Sequence, residues 1–364
     1  MCFTLGTLRT MTRWMGRRAH LSLWAGALLL LACRRGSPEP PTEPQAEPKP
    51  ATAAPAASTA LAAPAAIPSA VKAPLSAAFR RPAPARLVAV GDLHGDFYAT
   101  QAVLRLAGAL GADGHWAGEK MVLVQTGDQL DRGGGEKEIL DLFERLATEA
   151  KAAGGQVLAL NGNHETMNAL GDFRYVTADA EHDFDHLDPD SPFAQSISGP
   201  HHERAAAFLP GGSMALRLAE RPVVAQVGDT VFVHGGLEPE HVRYGLDRLN
   251  AEVQAFLRGQ GRPPAPMLDD GGPLWTRRYG TGPLDAGTCA VLGETLAAVG
   301  AKRLVIGHTI QEGGISSACA ERVYRIDVGM SAHYGGHLLQ ALEIRGDQVK
   351  VLSAEKAAEK PAEN

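Results

Sequence analysis

The sequence predicts an α/β fold in which two packed β-sheets are flanked by helices. Short apolar, β-branched runs at residues 87–90, 121–126 and 156–160 alternate with helix-length segments at 97–110 and 136–153. That alternation is typical of βαβ units and of a mostly parallel sheet. Antiparallel strands predicted later in the chain indicate a second sheet packed on the first.

A polar, glycine-rich cluster directly follows each of the three apolar runs. The clusters are Gly-Asp-Leu-His-Gly-Asp at 91–96, Gly-Asp-Gln-Leu-Asp-Arg-Gly at 127–133 and Gly-Asn-His-Glu at 162–165. Because the carboxyl ends of neighbouring parallel strands open onto one crevice, we expect the three loops to point at a common site. Asp, His and Asn are side chains that bind metal ions.

Two later strands are each predicted to end in a histidine. The runs at 222–226 and 230–233 predict a hairpin with a Gly-Asp turn, and the second strand leads into His-Gly-Gly at 234–236. The run at 303–306 leads into Gly-His-Thr at 307–309. The remaining predicted strands are 322–326, 337–344 and 348–352.

The first 32 residues have the pattern of a signal peptide. Four arginines and no acidic residue precede or border an apolar run at 21–32, which is shorter than the roughly 20 residues of a membrane-spanning helix. The run ends in Leu-Leu-Ala-Cys, which resembles the lipobox of bacterial lipoproteins, so Cys33 is the predicted lipidated residue. An uncleaved anchor, or a true start at Met11, is the alternative.

This leader predicts a lipid-anchored protein of the bacterial cell envelope that faces the periplasm. Arg34, and not Asp, follows the lipidated cysteine, which favours sorting to the outer membrane. The membrane is therefore one predicted partner, reached through the N-terminal lipid.

Composition divides the rest of the chain. Half of the 24 prolines lie in residues 36–85, and such a segment cannot build a core, so residues 33–85 are a predicted disordered linker. The catalytic domain is predicted to span 86–354, which is long enough for a sizeable core. A polar stretch at 171–212 is a predicted lid insertion. Residues 355–364 are a predicted disordered tail.

Charge and cysteine content exclude other classes of protein. The formal net charge is −6, and removal of the leader's four arginines would make it about −10, so no nucleic-acid partner is expected. Of the four cysteines in the sequence, only Cys289 and Cys319 lie in the predicted catalytic domain, and their spacing is not that of a zinc site. A periplasmic location would let them pair, but two buried free thiols are the favoured prediction because sequence cannot place their Cα atoms.

In order along the chain, these motifs resemble the motif set of the calcineurin-like metallophosphoesterases. The Asp-Arg-Gly form is that of the phosphoprotein phosphatase branch. His-Gly-Gly at 234–236, Pro-Leu-Trp-Thr-Arg at 273–277 and Asp-Val-Gly-Met-Ser at 327–331 are most similar to the Shewanella-like protein phosphatases. The resemblance covers about residues 86–344. It implies the calcineurin-like metallophosphoesterase fold, with two packed mixed β-sheets flanked by helices.

The resemblance also implies a site for two metal ions, which could be Mn, Fe or Zn since imidazole suits these metals. Two divalent ions, two carboxylates and one bridging hydroxide carry a formal charge of about +1, which attracts a phosphate dianion to an acidic protein. The family pattern assigns Asp92 and His94 to one ion, Asn163, His234 and His308 to the other, and Asp128 to both.

A mechanism follows from the same resemblance. The metal-bridging hydroxide attacks phosphorus in line, without a covalent phosphoenzyme. His164 is the implied acid for the leaving alkoxide, and Asp131 orients it. Arg132 and Arg277 are the predicted clamps on the phosphate oxygens, with Arg278 as a rival to Arg277.

Other polar residues are predicted to have structural roles. A single Asp or His at a strand end is most often a turn or capping residue, but this explanation fails for six compatible side chains at separate strand ends. Structural alternatives stay open for three residues: Arg132 could simply pair with a carboxylate, and Glu165 and Thr309 could simply orient backbone. Four histidines match no ligand motif and are predicted to be surface or supporting residues: His115, His241, His333 and His337.

Three functions remain open at this point. The first is a monomeric phosphomonoesterase that acts on a phosphorylated protein or a small phosphoester. The second is a dinucleoside-polyphosphate hydrolase, because symmetrical dinucleoside-tetraphosphate hydrolases resemble the same motif set. The third is a phosphoryl-binding protein without turnover, against which the complete ligand set argues.

Overall fold

The computed structural model describes residues 79–188, 199–336 and 338–354. The predicted signal peptide, Cys33, most of the predicted linker, the C-terminal tail, part of the predicted lid and His337 lie outside these residues. Within the described part of the chain, no helix is long and apolar enough to cross a membrane.

Strands and helices alternate through most of the described chain. The strands are β1 (Arg80–Arg81), β2 (Leu87–Val90), β3 (Val122–Gln125), β4 (Gln156–Ala159), β5 (Val224–Val227), β6 (Thr230–Val233), β7 (Arg303–Ile306), β8 (Ser316–Ala318), β9 (Val323–Arg325), β10 (Leu339–Arg345) and β11 (Gln348–Ala354). The helices are α1 (Phe97–Leu106), α2 (Glu136–Ala152), α3 (Asn163–Ala169), α4 (His202–Phe208), α5 (Ser213–Leu218), α6 (Pro239–Tyr244), α7 (Leu246–Leu257), α8 (Ala265–Leu268) and α9 (Ala286–Val299), with a short 3-10 turn at Ala332–Tyr334.

The first sheet, which we name sheet I, has the strand order β11-β10-β2-β3-β4. Its β2, β3 and β4 are parallel, and Ala89, Val124 and Leu158 lie side by side across them. Helices α1 and α2 supply the crossovers that parallel neighbours need. The β10–β11 hairpin adds to the free side of β2 in the antiparallel sense.

The second sheet, sheet II, has the order β1-β5-β6-β7-β9-β8. Strands β5 and β6 form the predicted hairpin, whereas β6, β7 and β9 are parallel. The prediction of two packed mixed sheets flanked by helices is confirmed. One detail is wrong, because the late antiparallel strands at 337–344 and 348–352 extend sheet I and do not build the second sheet.

Strand β2 shows why its sequence is apolar without interruption. Leu87 and Ala89 face the layer between the two sheets, where they pack with residues of sheet II such as Phe232. Val88 and Val90 point the other way, into the layer beneath α1 and α2. A strand buried on both faces reads as a continuous apolar run because neither alternating set of side chains meets water.

Helix ends near the predicted loops carry local signals. The Asp96 carboxylate accepts a hydrogen bond from the Ala99 amide at 2.9 Å and caps α1. Asp285 caps α9 through the Thr288 amide at 2.6 Å, and Gly300 ends that helix in the left-handed region at φ 69°.

The folded domain begins before the predicted boundary at residue 86. Strand β1 pairs in parallel with β5, with Arg80 opposite Gln226. Phe79 is buried in the core beneath sheet II, and its amide donates to the Asp247 carboxylate at 3.1 Å. The two arginines of β1 show no strand pattern in the sequence. This strand forms because β5 offers it a partner.

The described part of segment 171–212 is more than a solvated loop over the crevice. Helix α4 buries Arg204 and Phe208, and Phe208 joins the core with Phe184. The side chains of His182 and His186 in the same segment do face solvent. The polar composition of the segment did not predict this helix, whose buried face carries both apolar side chains and a charged one.

Cys289 and Cys319 form a disulfide, with their Cα atoms 5.2 Å apart. The prediction of two free thiols is therefore wrong. Cys289 lies in the first turn of α9 and Cys319 follows edge strand β8, so the bond joins two elements that sequence could not show to be neighbours.

Replacement of Phe79 tests where the domain starts. Phe79→Ala should lower the free energy of unfolding by about 3 kcal/mol, because it empties a core position ahead of residue 86. Exposed Leu216→Ala is the control and should stay within about 0.5 kcal/mol of the parent. Urea denaturation followed by circular dichroism measures both, and an unchanged Phe79→Ala variant would place the start of the domain after this residue.

Candidate metal centre and active site

The strand ends of both sheets meet at one edge of the molecule. The parallel strands of sheet I and those of sheet II have their carboxyl ends there, as expected for ligand sites in open α/β sheets. All six predicted metal ligands are buried at this edge. Strand β2 leads to Asp92 and His94, β3 to Asp128, β4 to Asn163, β6 to His234 and β7 to His308.

Asp128 lies at the middle of the group. Its Oδ2 is 3.0 Å from Nε2 of His234 and 3.8 Å from Nε2 of His94. The same His234 nitrogen is 2.8 Å from Oδ1 of Asn163. Ligand atoms of Asp128, His234 and His308 all lie within 4.8 Å of one another, so the donors could share one ion.

A second set of donors overlaps the first at Asp128. Ligand atoms of His94, Asp128 and His164 also lie within 4.8 Å of one another. Asp128 is thus common to two clusters, and with His94 it could contribute to holding a second ion. Asp92 completes the ring of donors, since its carboxylate accepts from the His308 amide at 3.0 Å.

Backbone carbonyls orient two of the imidazoles. Nδ1 of His94 faces the Leu130 carbonyl at 3.1 Å, and Nδ1 of His234 faces the Thr126 carbonyl at 3.0 Å. A carbonyl only accepts, so each Nδ1 carries a proton, and Nε2 is the nitrogen that faces the centre.

Electrostatics of the site show that its donors fit cations. Burial, followed by the charges of Asp327 and Asp128, raises the pKa of Asp92 well above its usual value. Burial likewise raises the pKa of Asp327 to about 6. Burial acts in the same direction on Asp128, but His234 and His164 hold its pKa well below the usual value. Crowded buried carboxylates beside imidazoles are a donor set suited to two metal ions.

Several loop residues of the site adopt a left-handed backbone. His94 has a φ of 44°, Asp128 of 58° and His308 of 66°, while Asp131 and Arg132 have 66° and 69°. This conformation costs an L-residue roughly 1–2 kcal/mol, and strain of this kind is concentrated at functional sites. Sequence reasoning missed it, because none of these residues is a glycine.

Glu165 binds the backbone of two ligand loops, which is the structural alternative that the sequence left open for it. Its carboxylate accepts from the amides of Gly162 at 2.6 Å, Asp128 at 2.8 Å, Gln129 at 2.8 Å and Leu130 at 3.1 Å. A Cβ at position 162 would collide with the Asp128 carboxylate, so glycine is required there.

His164 and Asp131 form a buried pair beside the ligands. Nδ1 of His164 is 2.6 Å from Oδ2 of Asp131, and both side chains are inaccessible to solvent. Nε2 of His164 lies 3.9 Å from Oδ2 of Asp128 and so faces the centre.

Two of the three predicted arginines lie at the site. The guanidinium of Arg132 lies between the rings of Tyr175 and Tyr334, 4.8 and 5.1 Å from their centroids. Arg277 donates to the His308 carbonyl at 2.8 Å. Arg278, the rival, instead pairs with Glu238 at 2.8 Å.

Sequence reasoning missed a polar network behind the His164–Asp131 pair. Arg204, Glu136 and Asn168 are all fully buried there. The only sequence feature that could have indicated this network is the position of Glu136 in the first helical turn after the Asp-Arg-Gly motif. No sequence pattern pairs Glu136 with Arg204. Among the unassigned histidines, His115 is exposed and bonds Glu149, which agrees with a surface role.

Fold and site together define a metallophosphoesterase. A family model for calcineurin-like phosphoesterases matches residues 85–312, and the chain belongs to that family. It is a metal-dependent hydrolase of phosphoesters.

Several known protein phosphatases are similar to this chain. The chain is 41% identical over 297 residues to Shewanella-like protein phosphatase 2 of Arabidopsis thaliana, covering 72% of this chain and 76% of the relative. It is 28% identical over 277 residues to Shewanella-like protein phosphatase 1 of Plasmodium berghei, covering 73% and 74%. A solved cold-active protein tyrosine phosphatase shares the fold, with a TM-score of 0.63, 24% identity and coverage of 75% and 77%.

Loss of the shared carboxylate should empty the metal centre. Even the loss of outer-shell partners costs about 10–100-fold in metal affinity, so Asp128→Asn should weaken Mn²⁺ binding at least that much. Titration calorimetry with Mn²⁺ and elemental analysis of the purified protein measure the effect. His115→Ala, at an exposed histidine, should bind Mn²⁺ as the parent does. Equal Mn²⁺ binding by Asp128→Asn would remove Asp128 from the ligand set.

Proposed function

We propose that this protein is a phosphomonoesterase acting on phosphorylated proteins, in which water attacks phosphorus in line and His164 protonates the leaving group. The observation that carries the proposal is the buried His164–Asp131 pair, which lies against the clustered donors of Asp128 and His94. A site that only binds phosphate has no use for a proton donor beside it.

The six clustered side chains are the proposed holders of two metal ions. When bound, such ions supply an activated water and offset the negative charge of the phosphate oxygens. The family is metal-dependent. We propose that the bound ions are Mn, Fe or Zn, since imidazole nitrogens bind all three metals.

Asp131 determines which nitrogen of His164 delivers the proton. Its carboxylate accepts the Nδ1 proton, so Nε2 is the nitrogen directed at the centre. A phosphate monoester bound against the donors of Asp128 would present its bridging oxygen to this nitrogen. Protonation there converts a poor alkoxide leaving group into an alcohol.

Arg132 and Arg277 are the proposed clamps on the phosphoryl group. The two rings that flank Arg132 limit its guanidinium to a narrow range of orientations. A planar guanidinium can donate to two phosphate oxygens at once, which an ammonium cannot. Arg277 is tied to the His308 loop, so it can approach the same group from the side of sheet II.

Aromatic side chains beside the clustered donors support an aryl phosphate as substrate. Tyr334 lies 5.5 Å from the ring of His94, and Tyr175 lies 5.2 Å from the ring of His164. A phosphotyrosine ring could pack against one of these rings beside Arg132, which adds roughly 0.5–1.5 kcal/mol per favourable ring pair. The cold-active structural neighbour is itself named as a protein tyrosine phosphatase.

Replacement of the proton donor tests the mechanism. His164→Asn should reduce kcat for a phosphoserine peptide by about 10²–10⁴-fold, because the serine alkoxide needs a proton. The loss for p-nitrophenyl phosphate should be far smaller, because p-nitrophenolate leaves unaided. Steady-state kinetics of both substrates at saturating Mn²⁺ measure the contrast, and equal losses would take the acid role away from His164.

A substrate panel tests the proposed class. With Mn²⁺ present, the protein should hydrolyse a phosphotyrosine peptide with a kcat/KM at least about 10-fold above that for the matched phosphoserine peptide, corresponding to 1.4 kcal/mol. Diadenosine tetraphosphate should be a poor substrate. Preferential cleavage of the dinucleotide would replace the proposal by a dinucleoside-polyphosphate hydrolase, and no turnover of any substrate would favour a phosphoryl-binding protein.

A further inference from the structure

We propose that Arg204 is a positioning residue for phosphoester hydrolysis, holding the His164–Asp131 pair from behind through Glu136 and Asn168. The inference rests on the proposed function, because it matters for catalysis only if His164 is the proton donor. Arg204 belongs to segment 171–212, so the proposal also assigns a catalytic supporting role to part of the predicted lid.

Arg204 is a cation in an interior position. It belongs to α4, is 1% exposed, and is the largest fully buried side chain of the described residues. The rings of Phe184 and Phe208 lie 5.1 and 5.0 Å from its guanidinium carbon. Burial of such a charge is costly unless every donor finds an acceptor, so its partners must be accounted for.

Glu136 is the main partner of Arg204. Nη1 donates to Oε2 at 2.6 Å and Nη2 donates to Oε1 at 3.0 Å, which is a two-point fork on one carboxylate. Nε of Arg204 donates to Oδ1 of Asn168 at 2.7 Å. Such a fork fixes both orientation and distance, whereas a single ammonium contact would fix only distance.

Both partners of Arg204 pass the restraint on to Asp131. The Glu136 carboxylate accepts from the Asp131 amide, where the backbone is left-handed. Nδ2 of Asn168 donates to Oδ1 of Asp131 at 3.1 Å and to the His164 carbonyl at 2.9 Å. Arg204 itself reaches Oδ1 of Asp131 at 3.4 Å.

Asp131 is therefore held through both carboxylate oxygens and its amide. Oδ2 is left for His164, at 2.6 Å, while Oδ1 is occupied by the network. A carboxylate held in this way cannot rotate, so the imidazole that it orients cannot turn Nε2 away from the centre. Buried hydrogen-bond networks with all members satisfied are rigid in this sense.

A purely structural role for Arg204 makes a different prediction. If the pair with Glu136 only anchors α4, its loss would lower stability and reduce turnover of every substrate alike. If Arg204 positions the proton donor, its loss would act on kcat and most strongly where protonation is needed. The dependence on the leaving group therefore separates the two roles.

Arg204→Lys is the variant of choice, because it keeps the buried charge and removes the fork. The kcat for a phosphoserine peptide should fall by about 10-fold or more, within the range of general-acid contributions. The kcat for p-nitrophenyl phosphate should stay within about 2-fold of the parent, and KM should change little for either substrate. Arg204→Lys added to His164→Asn should produce no further loss, since the residues act in one chain of contacts.

Arg217→Lys is the matched control. Arg217 also bridges two carboxylates from a helix of this region, pairing with Asp141 and Glu144 at 2.6 Å each, but it does not contact Asp131 or His164. It should leave the ratio of the two rates at the parent value. If Arg204→Lys does not fold by near-ultraviolet circular dichroism, Glu136→Gln with Arg204→Gln removes both charges together and should show the same selective loss.

The outcomes separate this inference from the proposed function. Selective loss in His164→Asn but equal losses in Arg204→Lys, or additive losses in the double variant, would overturn the role of Arg204 and leave the mechanism standing. Equal losses in His164→Asn would overturn the mechanism, and the role of Arg204 with it. Selective loss in both, with no additivity, supports both.

Discussion

One buried carboxylate underlies the geometry of the whole centre. Glu165 accepts hydrogen bonds from four amides, three in the loop after β3 and one in the loop after β4. Burial and the charge of Asp128 raise the pKa of Glu165, while these amides oppose the rise and stabilise its ionised form. The strained turn at Asp128 persists because amides that would otherwise be unsatisfied have an acceptor there. Through this acceptor, the loops that carry Asp128 and Asn163 are fixed relative to each other.

The two sheets extend this frame across the molecule. The layer between them contains Val124 of sheet I and Val305 of sheet II, close-packed with their neighbours. Backbone contacts join the loops within each half, from the His94 amide to the Asp128 carbonyl at 3.0 Å and from the Gly307 amide to the His234 carbonyl at 2.9 Å. A slide of one sheet over the other would separate the ligand atoms of Asp128 and His308, so packing far below the surface controls their spacing.

Local pattern predicted most strands and the convergence of the ligand loops. Runs buried on both faces are visible in sequence because their apolar character is unbroken, and the parallel order follows from the helices between them. The assignment of ligands to ions came from family resemblance. Long-range partners could not be predicted: the ladder between Arg80 and Gln226, the position of the β10–β11 hairpin, and the fork between Arg204 and Glu136 join residues with no shared periodicity. For the same reason the disulfide was missed.

The stacking of Arg132 between two tyrosines also bears on product release. A side chain already confined by Tyr175 and Tyr334 loses little conformational freedom when an anion arrives. This gain in affinity does not depend on the esterified group, so orthophosphate benefits as much as the intact ester. Uniform binding of this kind favours capture at low concentration but does not lower the barrier to chemistry. If Arg132 clamps the phosphoryl group as proposed, the same pair of rings would slow departure of the inorganic anion and bring that step closer to limiting the catalytic cycle.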